Sequence, residues 1–250
     1  MKKRIDINCD LGEEAGHDEE IMPFISSANI ACGFHAGNAD VIRRTIDLCL
    51  SHQVNIGAHP SFQDRINFGR KEMKITSDQI YDLVTAQLMI IDRAATEAGA
   101  KMNHVKLHGG LYNMAAVDAS MASTIISAVK DFNPGLILFA LSGSILITEG
   151  KRKGVKVFSE AFADRTYLDN GQLTPRSMAN ALIEDPEKVV AQVMQMILTG
   201  TVTSTTGKAI SLEVDTICIH GDGTHAAVFA KEIHDALKKE GIEIPKCSYT

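Results

Sequence analysis

The 250-residue sequence has no segment approaching the roughly 20 consecutive apolar residues that span a bilayer, which argues against a transmembrane helix. It also has no CxxC pair. Its five cysteines, Cys9, Cys32, Cys49, Cys218 and Cys247, are odd in number and scattered, which speaks against a disulfide framework and against a cysteine zinc site. Reduced thiols and a cytoplasmic location are therefore expected. Nor is there a surplus of basic charge: a net charge of -6 offers no general attraction to phosphate backbones or anionic lipid, so neither nucleic acid nor a membrane is an expected partner. The opening MKKRIDINCDLGEE runs from basic residues into Asp6, Asn8 and Asp10 instead of an apolar stretch, and no export signal is expected. Without a proline- or serine-rich linker, short-period repeat or low-complexity tract, a single domain over residues 1–250 is the expectation; a homo-oligomer is left open.

What the chain does have is alternation. Short β-rich runs at Arg4–Cys9, Ala28–Phe34, Val54–Ala58, His104–Leu107, Leu136–Leu141, Lys156–Glu160 and Asp215–Ile219 read as about seven strands. Between them, Asn38–His52, Ser77–Ala98, Ala119–Phe132, Arg176–Leu198 and Thr224–Glu240 carry apolar residues at helical spacing. Strands separated by helices imply a parallel sheet with crossover connections. In the second helix Ser77 is the expected cap, Ile80, Leu83, Val84, Gln87, Leu88 and Ile91 the inward stripe, and Gly99 the stop. Pro186 should divide the Arg176–Leu198 region into two helices, and Val202–Ile210 reads as an inserted hairpin or loop. A 250-residue chain of this kind fits one α/β barrel, with a doubly wound open sheet as the alternative.

Residues two apart on a strand share a face. On the first strand Ile5, Ile7 and Cys9 oppose Asp6, Asn8 and Asp10; on the second Ile30, Cys32 and Phe34 oppose Asn29, Ala31, Gly33 and His35. The third sets Asn55, Gly57 and His59 on one face, the fourth His104, Lys106 and His108, and the last Thr216, Cys218 and His220. Any one such histidine reads as a hydrogen-bonded structural residue. Together they predict polar groups converging beyond the carboxyl ends of the strands, in a solvated pocket, because burying them unpartnered would cost on the order of several kcal/mol per charged group.

The chemistry open to that set is bounded by motifs that fail. GTVTSTTGKA at Gly200–Ala209 has six residues between its glycines and ends in Ala209 where a P-loop needs a hydroxyl; no GxGxxG follows the first strand, and there is no GxSxG elbow. Asp10, His35, His59 and His108 resemble the oxygen and nitrogen ligands of a divalent ion such as zinc or manganese. They are dispersed over several strands, however, and HVKLH lacks the Glu of HExxH, so a bound metal is left open and no metal ligand is assigned. After His59, Arg65, Arg70 and Lys71 stand in a glycine-containing loop suited to a carboxylate or phosphate.

Seven stretches then stand out in order: DINCDLGE from Asp6 to Glu13, SSANIACGFHAG from Ser26 to Gly37, IGAHP from Ile56, NFGR from Asn67, HVKLHGGLYN from His104, FADRTY from Phe162 and CIHGD from Cys218. They resemble the LamB/YcsF family from Asp6 to about Gly241. The sequence departs from the family pattern at Leu107, where proline is common, and in the GTH that follows Asp222.

The resemblance implies a seven-stranded barrel related to carbohydrate deacetylases. It also implies ATP-dependent cleavage of 5-oxo-L-proline to L-glutamate, with ATP and magnesium as cofactors and two companion subunits as partners. Asp10, His35, His59, Lys106 and His108 are the expected catalytic set. Asn8, Glu13, Arg65, Arg70, Glu160, Asp164, Arg165, His220 and Asp222 are expected to bind substrate or phosphate. The alternatives are a metal-dependent amide or N-acetyl-sugar hydrolase acting alone, and a non-catalytic subunit that only binds 5-oxoproline.

Overall fold

Strict alternation along the first strand has a direct structural consequence in the computed structural model, which describes residues 3–247. In β1 (Asp6–Leu11), Ile7 and Cys9 are fully buried. They face away from Asp6, Asn8 and Asp10, as the pleat requires. The same logic recurs in β2 (Ser27–Ala31), β3 (Asn55–His59), β4 (Met102–Lys106), β5 (Ile137–Leu141) and β6 (Lys156–Phe162). A hairpin of β7 (Thr201–Thr203) and β8 (Ala209–Ser211) precedes the last strand, β9 (Thr216–His220).

Strands β1 to β6 and β9 pair in parallel, and β9 closes on β1 with Asn8 opposite Cys218 and Asp10 opposite His220. The sheet is therefore a closed seven-stranded barrel, and the open doubly wound alternative is set aside. Closure leaves no free sheet edge and turns every second residue of each strand into a shared interior.

Helices α1 (Asp18–Ile21), α2 (Ala39–His52), α3 (Ser77–Glu97), α4 (Gly109–Val117), α5 (Ala119–Phe132), α6 (Ile145–Lys153), α7 (Pro186–Thr199) and α8 (Ala226–Lys239) belong to the crossovers. Their ends follow from local chemistry. Asn38 Oδ1 accepts from the backbone of Asp40 and Val41 to cap α2, and Asp118 accepts from Met121 to cap α5. α3 is capped by Thr76 instead of Ser77, because Gln79 three residues on completes a reciprocal capping box with Thr76.

The Arg176–Leu198 region holds one helix where two were expected. Asp185 caps α7 with Pro186 in its first turn, where the missing N–H costs nothing. The segment before it, 163–185, is irregular and tied across itself by bridges of Arg165 to Leu182 and Tyr167 to Leu173. The hairpin expected at Val202–Ile210 is present. α4 and α6 lie outside the helices that the sequence spacing predicts; α6 carries only Leu146, Ile147 and Gly150 as buried residues. No described helix is long and apolar enough to cross a membrane.

One interior position shows how tightly the barrel is filled. A Cβ on Gly57 would lie 2.1 Å from His104 Nε2. That ring stacks on Phe139 with centroids 4.3 Å apart, and its Nε2 is bonded to Asn29 at 2.9 Å, so it has no place to swing. Gly57→Ala is expected to lower stability by about 1–3 kcal/mol through overpacking. An unchanged urea midpoint would show that the ring has room.

Candidate active site

The interior residues nearest the carboxyl ends of the strands build a buried charged centre. Lys106, 2% exposed, places Nζ 2.7 Å from Asp10 Oδ1, 3.1 Å from Glu160 Oε1, 3.3 Å from Asn8 Oδ1 and 2.8 Å from Cys218 Sγ. Asn8 donates to Glu160 Oε1 at 2.9 Å and Thr216 Oγ1 at 2.7 Å, while Asn29 donates to Asn8 Oδ1 and Asp10 Oδ1. Tyr112, from α4, donates its hydroxyl to Glu160 Oε2 at 2.7 Å. Below them Asp6 accepts from Ser27 at 2.6 Å and from Thr216 at 2.5 Å.

This corrects the expectation of a solvated pocket for Asp6 and Asn8, which lie beneath the cavity that Asp10 and Lys106 line. All four are buried, and the desolvation cost is met by partners drawn from β1, β2, β4, β6 and β9. Burial alone would push the Asp10 carboxyl up, but the neighbouring His59 and the Lys106 ammonium outweigh it and hold it well below its ordinary value. Burial would likewise lower the Lys106 ammonium, yet Asp10, Cys218 and Glu160 drive it well above its ordinary value. The centre is an ammonium locked between carboxylates.

Three histidines stand just above it. His59 ends β3; His108 immediately precedes α4; His35 lies in the loop after β2, which ends at Ala31 short of the expected Phe34. The rings of His35 and His108 stack with centroids 3.9 Å apart, and His59 meets His108 edge-on at 4.8 Å. His59 Nε2 lies 2.9 Å from His108 Nδ1 and 3.4 Å from Asp10 Oδ2. Glu13, in the turn after β1, brings Oε1 to 3.0 Å from His35 Nε2 and 3.4 Å from His108 Nδ1. Burial, then the neighbouring His59, lowers the His35 imidazole to about 3, and burial with His59 and His35 lowers His108 well below the usual range. Burial, then Asp10 and Asp222, raises the Glu13 carboxyl well above its ordinary value. Donor atoms of Glu13, His35, His59 and His108 all lie within 4.8 Å of one another, a spacing that could hold a metal ion.

A cavity of about 460 Å³ opens over this floor, lined among others by Asp10, His59, Lys106 and His108 below and Arg70, Arg165 and Arg176 above. His220 also lines it, held by Asp164 at 2.9 Å. Arg70 pairs with Asp222 and lies over the Phe68 ring. Arg165 is fixed by donation to Thr174 O and Ala181 O.

Not every expected residue reaches the cavity. Arg65 donates to the carbonyls of Gly33 and Gly37 and pairs with Glu14, so it staples the loops after β2 and β3 and does not line the cavity wall. Glu160 and Asn8 are fully buried beneath it, and Glu13 and His35 sit behind His59 and His108 instead of on its surface. Conversely, sequence reasoning passed over Tyr112 and Arg176. Tyr112 stood inside HGGLYN with no strand period to flag it. Arg176 was placed inside a helix that does not form there, and it makes neither hydrogen bond nor ion pair to another described residue.

The loops are set by backbone as much as by side chains. Gln87 of α3, on the inward stripe, accepts from Ser61 N and donates to Ser61 O, both at 2.9 Å, and Ser61 Oγ meets His35 Nδ1 at 2.7 Å. Gly109 has φ +54, and a Cβ there would lie 2.6 Å from Gly69 O, so glycine lets the Phe68–Arg70 loop press against the start of α4.

These features define a class: a seven-stranded α/β barrel with a carboxylate, lysine and imidazole centre at the carboxyl ends of its strands. The chain belongs to the LamB/YcsF family, which it matches over residues 5–250. It is 47% identical over 246 residues to the 5-oxoprolinase A subunit of Tolumonas auensis, covering 96% of this chain and 98% of that one. The corresponding 5-oxoprolinase A subunit of Bacillus subtilis is 47% identical over 250 residues, with 98% and 97% covered. The crystal structure of the lactam utilization protein of Thermus thermophilus superposes with a TM-score of 0.91 at 39% identity, covering 97% of this chain and 99% of that one. A family 4 carbohydrate esterase of Streptomyces lividans shares the fold at 11% identity and TM-score 0.55, covering 99% of this chain and 94% of that one.

Proposed function

We propose that this chain is the lactam-opening subunit of an ATP-dependent 5-oxoprolinase, converting 5-oxo-L-proline to L-glutamate together with two companion subunits. The observation that carries this reading is the full-length likeness to relatives named as the A subunit of 5-oxoprolinase, joined to a cavity whose walls are cationic and whose floor is acidic and imidazole-bearing.

The substrate's chemistry explains why ATP enters. Amide resonance and an almost strain-free five-membered ring make direct hydrolysis slow. Transfer of the γ-phosphoryl group of magnesium-bound ATP to the lactam oxygen turns a poor electrophile into an activated imidate. Water then adds at the former carbonyl carbon and the ring C–N bond breaks as the nitrogen takes a proton, leaving a glutamyl acyl phosphate that a second water hydrolyses to the carboxylate and phosphate. One lactam, one ATP and two waters give glutamate, ADP and phosphate.

In this reading Arg70, Arg165 and Arg176 receive the substrate carboxylate and phosphoryl oxygens, since guanidinium suits planar anions. Asp10, which faces the cavity, takes the proton from water and returns one to the leaving nitrogen. Lys106 steadies the oxyanion side of the floor. Asn8, Glu160 and Tyr112 hold Lys106 and Asp10 in place.

Mixing the purified chain with its companions, 5-oxoproline, ATP and magnesium should yield glutamate that disappears when any component is omitted. No glutamate under any condition would refute the activity; glutamate without ATP would instead favour a hydrolase acting alone. Within the working complex, Arg176→Ala is expected to raise KM for 5-oxoproline by roughly 10-fold or more, the worth of one charge-assisted hydrogen bond, with a smaller change in kcat. An unaltered KM would remove Arg176 from the binding site.

A further inference from the structure

We propose that Glu13, His35, His59 and His108 form a binding site for one divalent transition-metal ion of the zinc or manganese kind. The assignment concerns the ion and holds whichever substrate enters the cavity.

Hydrogen-bond polarity carries it. His59 Nδ1 faces the carbonyl of Lys106 at 2.8 Å, and His108 Nε2 faces the carbonyl of Phe68 at 2.8 Å. A carbonyl can only accept, so both nitrogens carry their hydrogens outward. Ser61 Oγ donates to Phe62 O at 2.9 Å, which leaves it to accept from His35 Nδ1 at 2.7 Å. Each outer nitrogen is thus a donor with a fixed acceptor, and each inner nitrogen presents a lone pair. Those lone pairs point at one another and at a carboxylate: His59 Nε2 and His108 Nδ1 are 2.9 Å apart, and His35 Nε2 is 3.0 Å from Glu13 Oε1. No other donor among the described residues bonds Glu13.

Four acceptors meeting face to face repel unless positive charge stands between them. Protons could do this only as two at once, one on Glu13 toward His35 and one between His59 and His108. A single doubly charged ion supplies the same charge and engages all four atoms, which lie within 4.8 Å of one another.

The outer partners complete the pattern, since metal-binding histidines usually donate their second ring N–H to a carbonyl or similar acceptor that fixes the ring. Phe68 holds a left-handed φ of 54, costly for a residue with a side chain, and its carbonyl is the one that orients His108. Imidazole nitrogen with one carboxylate favours zinc or manganese over magnesium or calcium, which prefer oxygen alone.

The test uses the full chain and metal alone. Protein stripped with a chelator and titrated with zinc or cobalt(II) should bind one ion per chain, with elemental analysis giving the stoichiometry and cobalt absorption reporting nitrogen ligation. Magnesium should not compete. Ser61→Ala keeps all four ligands but removes the hydroxyl that orients His35, and should weaken binding by roughly 10–100-fold. His108→Ala should weaken it further. Cys218→Ser alters the other acid, thiol and imidazole grouping, Asp10 with Cys218 and His220, and should leave affinity unchanged.

Absence of stoichiometric binding would overturn the proposal, as would loss of binding in Cys218→Ser alone or equal affinity in wild type, Ser61→Ala and His108→Ala. Should His108→Ala fail to fold by circular dichroism, the cobalt spectrum of the wild type and the Ser61→Ala affinity decide.

Discussion

Lys106→Met is expected to destabilise the protein by about 3–5 kcal/mol at neutral pH, as removal of one partner from a buried ion pair does. Methionine fills much of the same volume but leaves Asp10 and Glu160 facing each other without the ammonium that lies 2.7 and 3.1 Å from them. Asn8 and Asn29 still donate to these carboxylates, which limits the loss but does not cancel two negative charges in one buried space.

The pH dependence has a definite sign. In the wild type Asp10 is depressed below its ordinary 3.8, so its contribution is complete above that value and fades as pH falls through the depressed one. Lys106 is raised above 10.5, so its contribution holds below that value and is lost only in strong alkali. In the variant Asp10 loses the ammonium that helps hold it down and takes up a proton more readily on acidification. The stability gap between the two proteins should therefore narrow as pH drops from 7 toward 4. Urea denaturation at several pH values measures it; a gap below about 1 kcal/mol at pH 7 would mean that water, not protein, satisfies this centre.

Asp10→Asn carries the second large effect, on turnover and not on folding. Asparagine keeps the shape and can still accept from Lys106 and Asn29, so the fold should survive, as circular dichroism can verify. It cannot accept a proton from water. Glutamate formation by the reconstituted complex is expected to fall by roughly 100-fold or more, the usual share of a general base. Turnover equal to wild type would remove Asp10 from the mechanism, while 5-oxoproline affinity that survives together with the absence of any turnover effect would point to a subunit that only binds.

Much of the barrel was legible because closed parallel sheets impose a simple code. Asp6, Asn8 and Asp10 alternate with Ile5, Ile7 and Cys9, and that period alone places one set inside the barrel and the other under the helices. Gln87 fell on the inward stripe of α3, and it is there that it holds Ser61. The code fails where the chain leaves regular structure. Glu13 follows Gly12 at φ +71, beyond any strand period, so nothing marked its carboxylate as a neighbour of His35. Arg176 carries a helical spacing but lies in the irregular stretch before α7, and Arg65 shares its loop with Arg70 yet points to the backbone of Gly33 and Gly37.

The sequence by itself determined which residues are apolar-faced and which polar-faced on each strand, the family to which the chain belongs, and the approximate set of acids, bases and cations at the strand ends. Tertiary structure alone decided which of them touch. Asn8 and Glu160 are 152 positions apart, and Lys106 and Cys218 are 112 apart. Their contact depends on closure of β9 against β1 and β6. Periodicity is a local property of the backbone, whereas the pairing of buried charges depends on distances that exist only after the sheet has closed.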